Sequence, residues 1–153
     1  MSLMAIHTDG NILSVAFSKD GAQIVTGSSY IVSGHIVQVW DSSTGAELQK
    51  LIGHTSHVNS VAFSHDGTHI VSGSSDMSIR VWDVSTGTTL QQLNGDNPIR
   101  FVALSYDDLH IVSGSDNGSV GVWDALTGAM LQQLNGHTQL VNIRKTRKCL
   151  FFT

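Results

Sequence analysis

Three stretches of this chain close in nearly the same words: QVWDSSTGAELQKL (38–51), RVWDVSTGTTLQQL (80–93) and GVWDALTGAMLQQL (121–134). Their tryptophans, Trp40, Trp82 and Trp123, lie 42 and 41 residues apart. Each is preceded by a phrase of one type: SVAFSKDG (14–21), SVAFSHDG (60–67) and FVALSYDD (101–108). Then come IVTGSS (24–29), IVSGSS (70–75) and IVSGSD (111–116). Several phrases recurring in fixed order constrain the fold more than composition can. Each unit is one supersecondary element that must bury its apolar face against a neighbour of the same kind.

Within a unit the periodicity is that of strands. In VAFS, Val61 and Phe63 point one way and Ala62 and Ser64 the other, an alternation of period two. The S-x-D-G phrase that follows suits a hairpin, because Asp and Gly accept turn conformations. IVSG is a second strand, IRVW a third, and TTLQQL, after a Ser-Thr-Gly turn, a fourth. No segment sustains a helical period. Only 13% of the 153 residues are charged and Gly, Ser, Thr and Val abound, a mixture that favours short strands and tight turns. The expectation is an all-β chain of three four-stranded units, residues 12–51, 58–93 and 99–134, with partial strands at both ends in a single domain spanning 1–153.

This pattern resembles the WD-repeat family, whose four-stranded blades are arranged radially as a β-propeller. The resemblance covers roughly residues 7–142, and the near-identical units look like those of fungal defence and signalling proteins. It implies a structural hydrogen-bond tetrad in each blade. In the middle unit these residues are His54, Ser72, Asp76 and Trp82. The first unit offers His7, Thr26 and Trp40, but its aspartate position is overwritten by an insertion. SSYIVSGHIVQVWD (28–41) is four residues longer than SSDMSIRVWD (74–83). The third keeps Ser113 and Trp123, carries Asn117 at the aspartate position, and reads GDNP (95–98) with Asp96 where the others read GHT.

The resemblance also implies partner-binding positions three and five residues after the tetrad histidine and just before the aspartate. Carried onto this chain they are His57, Asn59 and Ser75 in the middle unit. In the first they are Asn11 and Leu13; in the third, Pro98, Arg100 and Asp116; in a fragmentary fourth, Leu140 and Asn142. The set mixes polar, basic and apolar side chains, which suits protein or peptide recognition. The inserted Tyr30–His35 segment is a further contact loop or simply a longer turn.

Other chemistry is weakly signalled. Ser72, His54 and Asp76 imitate a hydrolase triad, but acyl transfer also needs an accessible serine and an oxyanion hole. His65 and His69 flank a turn, yet a zinc site needs about four ligands and no cysteine pair or acidic cluster supplies the rest. No phosphate-binding glycine loop is present. The expectation is therefore no enzyme, no metal and no cofactor. The run Arg144, Lys145, Arg147, Lys148 has no interleaved aromatic platform, and the chain carries a net charge of −4, so neither nucleic acid nor membrane is expected as a partner. The lone cysteine, Cys149, the absence of a signal peptide and the lack of any long apolar run point to a cytoplasmic setting.

Propellers typically have about 4–8 blades, and three would leave unpaired flanks and apolar faces. Association into a homodimer closes a ring of six full blades, or eight if residues 138–153 and 2–7 jointly build hybrid blades. The competing reading is a fragment of a longer propeller. Recognition of a glycan, or catalysis at Ser72, are the alternatives to a protein-binding scaffold.

Overall fold

A computed structural model describes residues 10–29 and 34–135. It contains twelve strands in three antiparallel sheets, each four-stranded and laid out in chain order. The first sheet holds β1 (Asn11–Phe17), β2 (Gln23–Ser29), β3 (Ile36–Asp41) and β4 (Glu47–Ile52). The second holds β5 (Val58–Phe63), β6 (His69–Ser74), β7 (Ser78–Asp83) and β8 (Thr89–Asn94). The third holds β9 (Ile99–Leu104), β10 (His110–Ser115), β11 (Ser119–Asp124) and β12 (Met130–Asn135). These are the four-stranded units read from the repeat, and no helix lies among the described residues.

The turns explain why the phrases recur. In each Trp-Asp-x-x-Thr-Gly segment the aspartate caps the turn that follows it. Asp41 Oδ1 accepts the Ser43 hydroxyl at 2.6 Å and the Thr44 N–H at 2.8 Å, and these bonds hold its carboxyl at about 2. Asp83 repeats the arrangement with Ser85 and Thr86, and Asp124 accepts the N–H groups of Leu126 and Thr127. In the serine phrase, Ser64 Oγ donates to Asp66 at 2.7 Å and accepts the His69 N–H at 2.9 Å, sealing the hairpin between β5 and β6. Gly67 occupies the left-handed region at φ +75°. The third unit puts Asp108 there instead, at φ +58°. Its carboxylate reaches back to the preceding sheet, accepting the N–H groups of His65 at 2.7 Å and Asp66 at 3.0 Å. A residue that strains its own turn thus ties two sheets together.

The sheets stack face on face, and the interfaces repeat. Toward the second sheet, the first presents Val25, Val37, Val39 and Leu51; they meet Val58, Val61, Ile70 and Trp82. Toward the third, the second presents Val71, Ile79, Val81 and Leu93; they meet Ile99, Val102, Ile111 and Trp123. At roughly 1.5–3 kcal/mol per buried aliphatic side chain, these two cores dominate what holds the sheets together. A shift of register in β5 between Val58 and Ser60 turns Val58 and Val61 to the same face. They close over Gly27, whose absent Cβ would stand 2.8 Å from Val58 Cγ1. Ile99 and Val102 close over Gly73 in the same way. Serine hydroxyls add a polar stitch: Ser14 Oγ accepts the Val61 N–H at 3.1 Å, and Ser60 Oγ the Val102 N–H at 3.2 Å.

Candidate functional site

The chain returns at one end of the stack through the β4–β5 and β8–β9 connections and the β6–β7 and β10–β11 turns. The residues singled out from the resemblance collect there. In the second sheet His54 sits between three partners. Its Nε2 lies 2.7 Å from Ser72 Oγ, its Nδ1 2.8 Å from Asp76 Oδ2, and Trp82 Nε1 donates to Ser72 Oγ at 2.8 Å. One proton arrangement satisfies the whole chain: the indole donates to the serine, the serine hydroxyl to Nε2 of a neutral imidazole, and Nδ1–H to the carboxylate. Asp76 also accepts the Thr55 N–H at 3.0 Å, and the Ser78 N–H and hydroxyl at 2.9 and 2.6 Å. A serine two residues past the aspartate is the sequence signal for those last two bonds, and it is easily passed over.

The electrostatics agree with a neutral imidazole. Burial pushes the His54 pKa below its ordinary 6.5, against the opposing pull of Asp76. Burial raises the Asp76 carboxyl, but the Ser78, Thr55 and His54 hydrogen bonds outweigh it and hold the group at about 2. Both shifts have a linkage sign. As the pH falls below 6.5 the unfolded chain takes up a proton that folded His54 resists, so stability declines. A second decline follows from 3.8 toward about 2, where Asp76 protonates. Urea midpoints at pH 7 and pH 5 should therefore fall less in His54→Gln than in the wild-type protein. Equal declines would refute the assignment.

The other sheets hold partial versions. Trp40 Nε1 donates to Thr26 Oγ1 at 3.0 Å, and Trp123 Nε1 to Ser113 Oγ at 2.9 Å. Asn117 Oδ1 accepts the Ser119 N–H at 3.0 Å and hydroxyl at 2.7 Å, as Asp76 does with Ser78, with no histidine beside it. Asp96 is exposed. His7 lies outside the described residues.

Of the candidate contact residues, Asn59 is a junction as much as a surface group. Its Nδ2 donates to Ser75 Oγ at 2.8 Å and to the Ile99 carbonyl at 2.7 Å, crossing to the third sheet. Arg100 grips Asp116 with two hydrogen bonds, one from Nε and one from Nη2; the carboxylate raises the guanidinium pKa. Pro98 contributes its carbonyl to the Asp116 N–H at 3.1 Å. His57 is exposed and meets His35 edge-on with ring centroids 5.1 Å apart. Burial, then His57, lowers the His35 pKa. That pairing crosses from the first sheet to the second and had no sequence signal beyond the insertion itself. Asn11 and Leu13 are exposed on β1. Leu140 and Asn142 lie outside the described residues, as do Tyr30–Ser33 of the insertion.

The histidines at the opposite turns go separate ways. His65 packs against Tyr106 with the rings tilted and centroids 4.0 Å apart and accepts from Lys19 Nζ at 2.8 Å, whereas His69 Nδ1 bonds Thr68 Oγ1 at 2.7 Å. Among the described residues no group of three or more His, Cys, Asp or Glu side chains is arranged to hold a metal ion, and no helix is long and apolar enough to cross a membrane.

Comparison with known proteins places these units in context. The family described as WD domain, G-beta repeat matches residues 3–41, 45–83 and 87–124. Each matched unit ends at the aspartate of a Trp-Asp pair, so the matches are offset from the sheets, and the second and third open on β4 and β8, the last strands of the sheets before them. The chain is also 48% identical over 50 residues to an uncharacterized WD repeat-containing protein of Nostoc sp.. That alignment covers 33% of this chain and 3% of the relative. The family match, the three sheets and the indole–serine bonds converge: the chain belongs to the WD-repeat family.

Proposed function

We propose that this chain is a non-catalytic protein-interaction scaffold that offers the connections at one end of its sheets to a protein partner, and that a second copy completes its ring. The observation that carries the first half is the state of the triad-like residues. Ser72 is fully buried, and its hydroxyl is engaged by both Trp82 and His54. A nucleophile needs access to its substrate; this buried serine has none. What stands at the surface is a rigid and varied rim: His57, the Asn59–Ser75 pair, and Arg100 braced by Asp116. Braced side chains lose little freedom on binding, which favours recognition of a folded or extended polypeptide.

A glycan-binding reading would gain from identical pockets repeated on each sheet, with an aromatic for sugar stacking. The equivalent rim positions here are Leu13, Asn59 and Arg100, and they differ in every respect that a sugar would read. Affinity capture with quantitative mass spectrometry tests the proposal, comparing the wild-type protein with His57→Ala, Arg100→Glu and, at the opposite turns, Lys19→Glu. The expected result is a set of proteins lost with the two rim variants and kept with Lys19→Glu. Capture indifferent to the rim, or rim-dependent binding on a glycan array instead, would overturn it.

A further inference from the structure

Among the described residues, two that are not glycine hold a positive φ: Asp108 at +58° and Met77 at +69°. A side chain in that left-handed region crowds its own backbone, at a cost that glycine escapes. For Asp108 the offset lies within the chain, since its carboxylate joins the second and third sheets through the N–H groups of His65 and Asp66. Met77 has no offset of that kind. A thioether is a weak acceptor, the side chain is 45% exposed, and it belongs to neither apolar core.

The repeat shows that this turn does not need a methionine. Asp76-Met77-Ser78 in the β6–β7 turn corresponds to Asn117-Gly118-Ser119 in the β10–β11 turn. Gly118 takes the same conformation, at φ +79°. One backbone bond closes both turns: the Met77 N–H donates to the Ser74 carbonyl at 3.2 Å, and the Gly118 N–H to the Ser115 carbonyl at 3.0 Å. The Met77 carbonyl is held as well, accepting the Gly95 N–H at 2.8 Å from the β8–β9 connection. The backbone is thus fixed on both sides in a conformation that glycine would adopt at lower cost.

We infer that Met77 is the apolar anchor of the rim, the residue on which a partner polypeptide seats an apolar side chain of its own. This inference rests on the protein-binding half of the function proposed above. Strain held in place by surrounding hydrogen bonds is a mark of contact sites, and here the strained residue stands beside the rim. Ser75, two residues before it, donates its N–H to the His57 carbonyl at 2.9 Å, and its hydroxyl accepts from Asn59. Those neighbours are polar; they orient a partner by hydrogen bonds and offer it little apolar area to bury. Met77 supplies what they lack. Its unbranched, polarizable side chain adapts to apolar groups of different shape.

The test pans a phage-displayed library of random short peptides against the full wild-type chain. A recovered peptide, synthesised with a fluorophore, is then titrated by anisotropy with Met77→Gly, Met77→Ala, Met77→Leu and His57→Ala. Met77→Gly should raise the urea midpoint by about 0.3 M, because the strain is relieved. It should also weaken the peptide about tenfold or more, because the anchor is gone. Met77→Ala should weaken binding as much with no gain in midpoint, since it keeps the strained backbone and loses the contact. Met77→Leu should hold the peptide to within about threefold of the wild type, as an apolar side chain of similar volume. Peptides that lose binding with His57→Ala yet bind Met77→Gly undiminished overturn the anchor and leave the rim reading standing. Peptides indifferent to both overturn the rim reading and the anchor with it. A Met77→Gly midpoint no higher than that of the wild type overturns the premise that methionine is held here at a cost, and the inference falls.

Discussion

Asp76→Ala is expected to destabilise the protein by about 3 kcal/mol, the cost of stranding several buried donors at once. His54 Nδ1, the Thr55 N–H, and the N–H and hydroxyl of Ser78 all end on that one carboxylate. Its side chain is only 8% exposed, and that of His54 is fully buried. Water cannot readily replace what is removed. Asp76→Asn should cost roughly half as much, because an amide oxygen can still serve Ser78, as Asn117 serves Ser119 in the third sheet. Asp96→Ala, at an exposed position, should change stability by less than about 0.5 kcal/mol. Urea denaturation followed by tryptophan fluorescence reads all three. Equal shifts for Asp76→Ala and Asp96→Ala would show that the network contributes nothing beyond an ordinary surface aspartate.

Gly73→Val is expected to cost about as much for an unrelated reason, overpacking of a closed interface. A Cβ at Gly73 would stand 2.6 Å from Ile99 Cγ2 and 2.8 Å from Val102 Cγ1, both fully or nearly fully buried. The sheets would have to separate to admit it. The damage should therefore be directional: hydrogen exchange should quicken in β9 and β10 before it does in β1 and β2. Removing the obstructing methyls tests the cause. In the double variant with Ile99→Ala the two losses should fall short of their sum by about 1–2 kcal/mol. Strict additivity would mean that the glycine is needed for its own backbone and not for the approach of the neighbouring sheet.

Much of this was legible in the residues, and the reason is that much of it is local. Alternation in VAFS and IVSG, the D-G hairpins and the Thr-Gly turns act over two to five residues, so a linear reading finds the strands that hold them. The resemblance added long-range partners, bringing His54, Ser72, Asp76 and Trp82 to one place from positions up to 28 residues apart. Departures from the repeat were visible but mute. SYDD in place of SHDG could be seen; that Asp108 spends its carboxylate on the previous sheet could not. The insertion before His35 could be measured, but not the meeting of His35 with His57. Arg100 and Asp116 were each singled out as surface contacts, and the structure shows them spent in part on one another.

What the sequence determined by itself is the unit: twelve short strands, three times four, with an aspartate capping each Thr-Gly turn and an indole donating to a serine or threonine. These follow from hydrogen bonds and alternation within a repeat, interactions that any copy of the phrase makes wherever it stands. Tertiary structure alone decided which face of each sheet is spent and which is free. Val15, Val61 and Val102 hold the same place in the repeated phrase, and Val15 and Val61 have the same neighbours in sequence, so local chemistry does not separate them. One is exposed and two are buried because burial belongs to the stack: among the described residues the second and third sheets each pack upon a predecessor, and the first does not.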